Sequence, residues 1–185
     1  MREKNKNEFN DIIKNIINNN NYQVINKDIH HGTNKLEHCQ RVALCSYFMT
    51  KNLKLDYKAA TRGALLHDFF IGEREEYGEN SYLNHPITSV KNASKYFDVS
   101  NHEKDIIKTH MFHHLFIKKI LRFINPHEDA NLLKSRPKSA EAWIVCGADL
   151  FVSGYEWLRF KALSPVAYST NIILLFLFFW TTTAK

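Results

Sequence analysis

The chain has 185 residues, which at roughly 150 residues per domain favours one folded unit with a sizeable core. Hydrophobic residues make up 44% and charged residues 24%, so a mainly disordered or collagen-like chain is excluded. The net charge of +6 favours anionic partners, but the basic residues are spread thinly, and we expect no dedicated nucleic-acid patch. Only six glycines and four prolines punctuate the chain, which favours helices over many short strands.

The first 30 residues contain nine asparagines, four of them consecutive at 18–21. We predict a short helix over about residues 8–17 that breaks into a polar loop. The basic residues at the start are not followed by an apolar run, so no secretory signal is expected. The three cysteines lack the paired CxxC spacing of structural zinc sites. Together these features predict a reduced, cytoplasmic protein.

Apolar residues recur at helical spacing in five further segments, and no convincing alternating strand pattern appears. The predicted helices cover residues 36–50, 57–70, 87–97, 103–121 and 141–156. In the second of them Ala60, Gly63 and Ala64 share a face, where small side chains let another helix come close. Pro86 stands where the third would start, as proline often does in the first turn of a helix. The sequence therefore predicts an all-α bundle.

The end of the chain differs in composition, because no charged residue occurs between residues 162 and 184 and residues 172–180 are all apolar. About 20 apolar residues are needed to span a bilayer, so this run is short for a membrane helix. We favour a segment buried in the core or covered by a partner over a membrane anchor, and a non-native tail is the third alternative. The predicted units are residues 1–30, an N-terminal helix and Asn-rich loop; 31–160, the main domain; and 161–185, a hydrophobic tail.

Four of the predicted helices carry a histidine or aspartate on or beside the apolar face. These residues are His38, the adjacent His67 and Asp68, His110 and Asp149. Burying such a group costs several kcal/mol unless it is paired or bound to a metal. One such histidine alone would be interpreted as a hydrogen-bonded core residue. Imidazoles and carboxylates converging from separate helices are instead the ligand set of Zn, Mn, Fe or a similar divalent ion.

Five motifs stand in a fixed order along the chain: HGT at 31–33, RGALLHDFF at 62–70, NHP at 84–86, IIKTHMF at 106–112 and EAWIVCGAD at 141–149. With His38 at the start of a helix, the His67–Asp68 pair next and Asp149 last, the chain resembles the HD superfamily of metal-dependent phosphohydrolases. The likeness is to a small single-domain branch found in bacteria and covers about residues 30–157. It implies that residues 31–160 form an HD-domain helical bundle.

The resemblance also implies a ligand set. One metal would be held by His38, His67, Asp68 and Asp149. In family members with two metals, further histidines bind the second ion and the Asp of the pair bridges both; His85 and His110 occupy those places here. The cofactor would be one or two divalent ions, Mn, Fe, Zn, Ni or Mg. Pro86 is expected to push His85 out of helical geometry to a helix entrance, where a capping or surface histidine is an equal alternative.

The implied reaction is hydrolysis of a phosphoester or phosphoanhydride in a nucleotide or small phosphorylated metabolite by metal-activated water. His67 and Asp68 would be catalytic, with Asp68 orienting the attacking water. Lys91 is a candidate for phosphate binding, with a solvated lysine as the alternative. His114 lies one turn after His110 and could act as a ligand or proton donor. Leu150 stands where the branch commonly has a lysine, which puts a cationic phosphate clamp there in doubt.

Two other functions stay open. A non-catalytic binding or regulatory module would keep the metal for stability and show no turnover. A di-iron oxygenase on the same scaffold would use a similar His/Asp set and consume oxygen. No Gly-rich phosphate loop and no nucleophilic Ser or Cys motif competes with these interpretations. The sequence leaves the substrate and the oligomeric state open.

Overall fold

The computed structural model of the protein describes residues 3–30, 33–70, 79–113 and 136–159. Its helices are α1 Glu3–Ile17, α2 Asn20–Gln23, α3 Lys35–Asn52, α4 Tyr57–Leu66, α5 Glu79–Tyr96, α6 Asn101–Thr109 and α7 Ala140–Trp157. A 3-10 turn spans Val24–Lys27, and the two-residue strands β1 Ile29–His30 and β2 Thr33–Asn34 pair antiparallel. The predicted all-α class is confirmed, and this short ladder is a small addition to it.

The bundle is organised around α3 and α4, which pack on each other and both contact α7. α6 packs against α4, α5 and α7. The predicted close helix contact occurs at Gly63, where a Cβ atom would lie 2.7 Å from Cγ2 of Ile106 on α6. Only glycine allows this approach, because a methyl group would overlap the branched side chain of Ile106 near its backbone.

Polar caps decide where four of the longer helices begin, α3, α4, α6 and α7. Asn34 accepts a hydrogen bond from the Glu37 amide at 2.7 Å, and Asp56 accepts one from the Ala59 amide at 3.0 Å. Ser139 likewise caps α7, and Ser100 forms a reciprocal capping box at the start of α6. Each cap satisfies an amide that has no partner within its helix, at roughly 1 kcal/mol each.

The N-terminal prediction is partly wrong. α1 begins at Glu3, and α2 and the 3-10 turn replace most of the predicted polar loop. The reason is tertiary burial, because Tyr22 and Ile25 are fully buried in the core, and Asn19 caps the short helix that carries Tyr22. α1 packs on α4. The domain boundaries after residues 30 and 160 stay predictions.

The predicted helix start at Pro86 is wrong, because α5 begins at Glu79 and runs through the proline. His85 therefore lies inside a helix and not at its entrance. Proline keeps a helical φ and removes one amide donor, so a helix can continue through it at a cost of about 3 kcal/mol. The helices predicted over 57–70 and 103–121 end earlier, at Leu66 and Thr109.

The described part of the chain contains no helix both long and apolar enough to cross a membrane. His114, the remainder of the helix predicted to residue 121 and the tail over 161–185 lie outside the described residues.

Candidate metal centre

Two histidines end the helices that carry them in the same way. His67 follows α4 and His110 follows α6, and both keep helical backbone angles. The ring Nδ1 of each lies 2.7 Å from the carbonyl oxygen three residues earlier, Ala64 for His67 and Ile107 for His110. A carbonyl oxygen can only accept a hydrogen bond, so Nδ1 is the donor. The ring thus replaces the backbone amide that would bond to this oxygen if the helix continued. The Nε2 atoms are thereby turned into the bundle.

The end of α4 is held by three different donors. Besides the imidazole at Ala64, the Tyr22 hydroxyl donates to the Leu65 carbonyl at 2.5 Å, and the Phe69 amide donates to the Leu66 carbonyl at 3.1 Å. Because every terminal carbonyl here has a partner, the turn that follows is fixed. This turn carries His67 and Asp68, so their side chains are held in place by local hydrogen bonds.

His38 of α3 joins the site to α7. Its Nε2 lies 3.1 Å from Oδ1 of Asp149, and its Nδ1 lies 2.8 Å from Oε2 of Glu156. Glu156 is fully buried and also accepts a hydrogen bond from Arg41 at 2.7 Å. Glu156 thus orients the ring of His38, as carboxylates commonly do for metal-binding histidines.

The two oxygens of Asp68 face different histidines. Oδ2 lies 3.6 Å from Nε2 of His67, whereas Oδ1 lies 3.1 Å from Nε2 of His85 and 3.6 Å from Nε2 of His110. Nε2 of His67 is also 3.7 Å from Oδ1 of Asp149. Two sets of ligand atoms, each within 4.8 Å of one another, result: His38, His67 and Asp149, and His67, Asp68 and His110.

We refer to His38, His67, Asp68, His85, His110 and Asp149 as the His/Asp cluster. All six predicted ligands are buried, with at most 6% of each residue exposed. Burial of this kind is costly for ionised groups unless they neutralise one another or bind a cation.

The charges inside the cluster are strongly coupled. Burial lowers the pKa of His38, but its hydrogen bonds to Asp149 and Glu156 outweigh this and raise it to about 10. Burial also lowers the pKa of His67, but the charge of Asp68 outweighs this effect and raises the pKa to about 10. Burial raises the pKa of Asp68, yet the charge of His67 and the nearby rings of His110 and His85 hold it well below its usual range. Protonated imidazoles therefore balance the buried aspartates, and a bound cation would replace those protons.

The cluster contains ring nitrogens without a suitable hydrogen-bond partner in the described part of the chain. Among the described residues, Nε2 of buried His67 has no hydrogen-bond partner. Nε2 of His85 lies 2.9 Å from Nε2 of His110, although Nδ1 of His110 already carries that ring's hydrogen. Burial lowers the pKa of His110, which favours its neutral form with a lone pair on Nε2. Imidazole nitrogens and carboxylate oxygens that converge in this way fit a divalent cation.

One wall of the cluster is aromatic. The ring of Phe70 lies over that of His85, with centroids 4.8 Å apart. Nζ of Lys35 lies 3.6 Å from the centre of the Phe70 ring, and it donates to the Phe70 carbonyl at 3.1 Å and to Asp28 at 2.8 Å. Lys35 is only 3% exposed. It fixes Phe70 against the outer side of His85.

The remaining predicted site residues are Lys91 and His114. Lys91 is exposed on α5, whereas His85 on the same helix is buried. His114 lies outside the described residues. Sequence reasoning missed Glu156, although a signal existed: it lies seven residues after Asp149, two turns along the same face of α7. A second carboxylate on an otherwise apolar helix face indicates, as the first does, a buried charge that needs a partner.

The chain is thus a helical bundle in which buried imidazoles and carboxylates converge, and these groups could hold a divalent metal ion. The family model of the HD domain matches residues 36–153, more than half of the chain. The chain belongs to the HD domain family, and the predicted resemblance is confirmed. HD domains bind divalent metal ions and their superfamily comprises metal-dependent phosphohydrolases. Neither the curated proteins nor the solved structures compared with the chain include a significant match.

Proposed function

We propose that the protein is a metal-dependent phosphohydrolase whose His/Asp cluster holds two divalent ions with Asp68 between them. The observation that carries this proposal is the division of the Asp68 carboxylate, with Oδ2 towards His67 and Oδ1 towards His85 and His110. A carboxylate with a different ligand set at each oxygen is suited to bridge two cations. The first would be held with His38, His67 and Asp149, and the second with His85 and His110.

The helix ends support a cation at this position. α4 ends at Leu66 and α6 ends at Thr109, and the cluster follows both ends directly. The carbonyl end of a helix carries partial negative charge, which favours a positive ion by about 0.3–1 kcal/mol per helix. The two helices thus add to the attraction of the aspartates.

A bound divalent ion supplies a water whose pKa falls to about 7 and a positive charge that offsets the charge on a phosphoryl oxygen. The protein supplies the geometry. Asp68 would accept a hydrogen bond from the attacking water, and Asp149 and the histidines would hold the metal ions in place. Glu156 and Arg41 hold His38 so that its Nε2 faces inward. The substrate class is a phosphoester or phosphoanhydride, in a nucleotide or a small phosphorylated metabolite.

The test is elemental analysis of the purified chain combined with a phosphate-release screen across nucleotides and small phosphomonoesters. We expect two metal ions per chain and turnover that is lost in Asp68→Asn, which keeps the shape and removes the charge. Asp98→Asn is the matched control, since Asp98 is exposed, and it should retain both. Metal without phosphate release would favour a non-catalytic module, and oxygen uptake with iron would favour an oxygenase. Either result overturns the proposal.

A further inference from the structure

The outer face of α7 carries no charge over most of its length. The acidic residues between Ala142 and Leu158 are Asp149 and Glu156, and both are buried towards the His/Asp cluster. On the other side, six large apolar residues are 43% to 69% exposed: Trp143, Leu150, Phe151, Tyr155, Trp157 and Leu158. A helix that is apolar on both sides is normally covered on both. Contiguous exposed apolar surface of this kind marks an interaction site.

This face has a regular alternation of size. Large residues Trp143, Leu150 and Trp157 recur every seven residues, and small residues Ala140, Gly147 and Gly154 do the same between them. The spacing of four and then three residues keeps all six on one stripe of the helix. Among the described residues, nothing lies within 4 Å of a Cβ atom built at either glycine. The two glycines are therefore open slots on the surface.

The alternation is self-complementary in one arrangement. A two-fold axis that passes between residues 148 and 149, perpendicular to α7, pairs residues at equal distances from it. It places Leu150 against Gly147, Trp143 against Gly154, and Trp157 against Ala140 of the second copy. Every facing pair then joins a large side chain to a small one, which is how closely packed layers interdigitate. A parallel pair in register would set Trp on Trp and Gly on Gly.

We propose that the outer face of α7 is a homodimer interface, formed by antiparallel packing of α7 on α7 of a second copy of this chain. The 18-residue helix is about 27 Å long, enough for the whole stripe to pair. Its two tryptophans and the flanking Phe151 and Tyr155 are residue types enriched at the centres of protein interfaces. Such a two-fold interface closes on itself, so it produces a dimer and not a fibre. This inference is independent of the proposed catalytic function.

Sedimentation equilibrium of the full chain over a range of concentrations tests the proposal. We expect a dimer for the wild type and a monomer for Gly147→Leu/Gly154→Leu, which fills both slots. Since leucine favours helix over glycine and both positions have open space, this variant should still fold. Its melting temperature should not depend on protein concentration, whereas that of the wild-type dimer should rise with concentration. Leu150→Lys is a second variant that should also give a monomer, through charge and not through size.

The swap Gly147→Leu/Leu150→Gly gives the sharpest outcome. It restores a large residue opposite a small one at the centre of the pairing, so the dimer should return. A covering by the chain's own residues 172–180 predicts instead a wild-type monomer at every concentration. A membrane surface predicts a monomer that binds phosphatidylglycerol vesicles. A wild-type monomer, or a dimer that the slot-filling variant leaves intact, overturns the proposal.

Discussion

Two clusters of charged residues in this protein are satisfied in opposite ways. At Glu8 of α1, Oε1 accepts a hydrogen bond from the Tyr57 hydroxyl at 2.7 Å, and Oε2 accepts one from the Tyr47 hydroxyl at 2.7 Å and one from Lys51. We call these four residues the Glu8 cluster. Each carboxylate oxygen has a protein donor, and one ammonium balances the charge. The cluster joins α1 to α3 and α4 and needs nothing from outside.

The His/Asp cluster has the opposite balance. Nε2 of His67 has no hydrogen-bond partner among the described residues, and Nε2 of His85 lies 2.9 Å from Nε2 of His110. A cluster with a donor for each acceptor stabilises the fold by itself. A cluster in which ring nitrogens lack a suitable partner stabilises the fold fully only with a bound cation. The half-exposed Glu8 cluster is thus a structural use of charge, and the buried His/Asp cluster is a functional one.

Metal removal should have the largest effect. A ligand at about 1,000 times its dissociation constant stabilises a protein by ~4 kcal/mol. For a chain of this size that corresponds to roughly 10 °C in melting temperature. We expect calorimetry to show such a decrease after exhaustive chelation and recovery when Mn²⁺ or Zn²⁺ is returned. Chelation should lower the melting temperature of Glu8→Gln by the same amount, because the Glu8 cluster requires no metal. An unchanged melting temperature after verified metal loss would contradict the comparison.

Glu156→Gln should weaken metal binding without removing a ligand. Loss of the carboxylate that orients a ligating histidine typically costs 10–100-fold in affinity. We expect this range in a competition titration against a chromophoric chelator. Glu37→Gln is the matched control, since Glu37 binds the same Arg41 at 2.7 Å but its side chain is 51% exposed. If the two variants lose the same metal affinity, the contact with Arg41, and not the contact with His38, supports metal binding.

Gly63→Ala should disturb the cluster from a distance. The added methyl group would lie 2.7 Å from Cγ2 of Ile106, and each of these residues precedes a cluster histidine by one turn. Overpacking costs about 1–3 kcal/mol, and the better helix propensity of alanine returns about 1 kcal/mol. We expect net destabilisation of roughly 1 kcal/mol in urea unfolding and weaker metal binding. In an Ile106→Ala background the same change should cost nothing, and an equal cost there would refute steric contact as the cause.

The smallest expected effect is the acid dependence of the Glu8 cluster. Hydrogen bonds from Lys51, Tyr47 and Tyr57 lower the pKa of Glu8 from 4.5 to about 2. Because the folded pKa is depressed, this stabilisation is present above 4.5 and is lost as the pH falls towards 2. Urea midpoints of wild type should exceed those of Glu8→Gln at neutral pH, and the difference should narrow below about pH 4.5. Metal content should be equal in both proteins at neutral pH. If the difference between the two urea midpoints does not change with pH, the ionised carboxylate of Glu8 is not its source.

Periodicity and residue chemistry predicted much of this molecule. Helical spacing predicted α3 and α7 to within about two residues at each end, because a strong apolar period and a cap residue coincide there. Small residues on α4 predicted the close contact at Gly63. The six members of the His/Asp cluster were found because ionisable residues on apolar faces, and the resemblance they carry, do not depend on knowing helix directions.

Other features are decided only when the chain folds. The early ends of α4 and α6 come from imidazoles that take carbonyl oxygens from the backbone, and a local period does not contain that competition. The helix through Pro86 contradicts a local rule. The direction of each Asp68 oxygen and the contact of Glu156 with His38, 118 residues earlier, depend on how distant helices meet. The sequence by itself determined which side chains must be buried together, since the hydrophobic period and the desolvation cost depend on the identity and position of each residue. Only the tertiary structure decided which atoms face one another, since packing between helices sets the distance between two atoms to within a few tenths of an ångström.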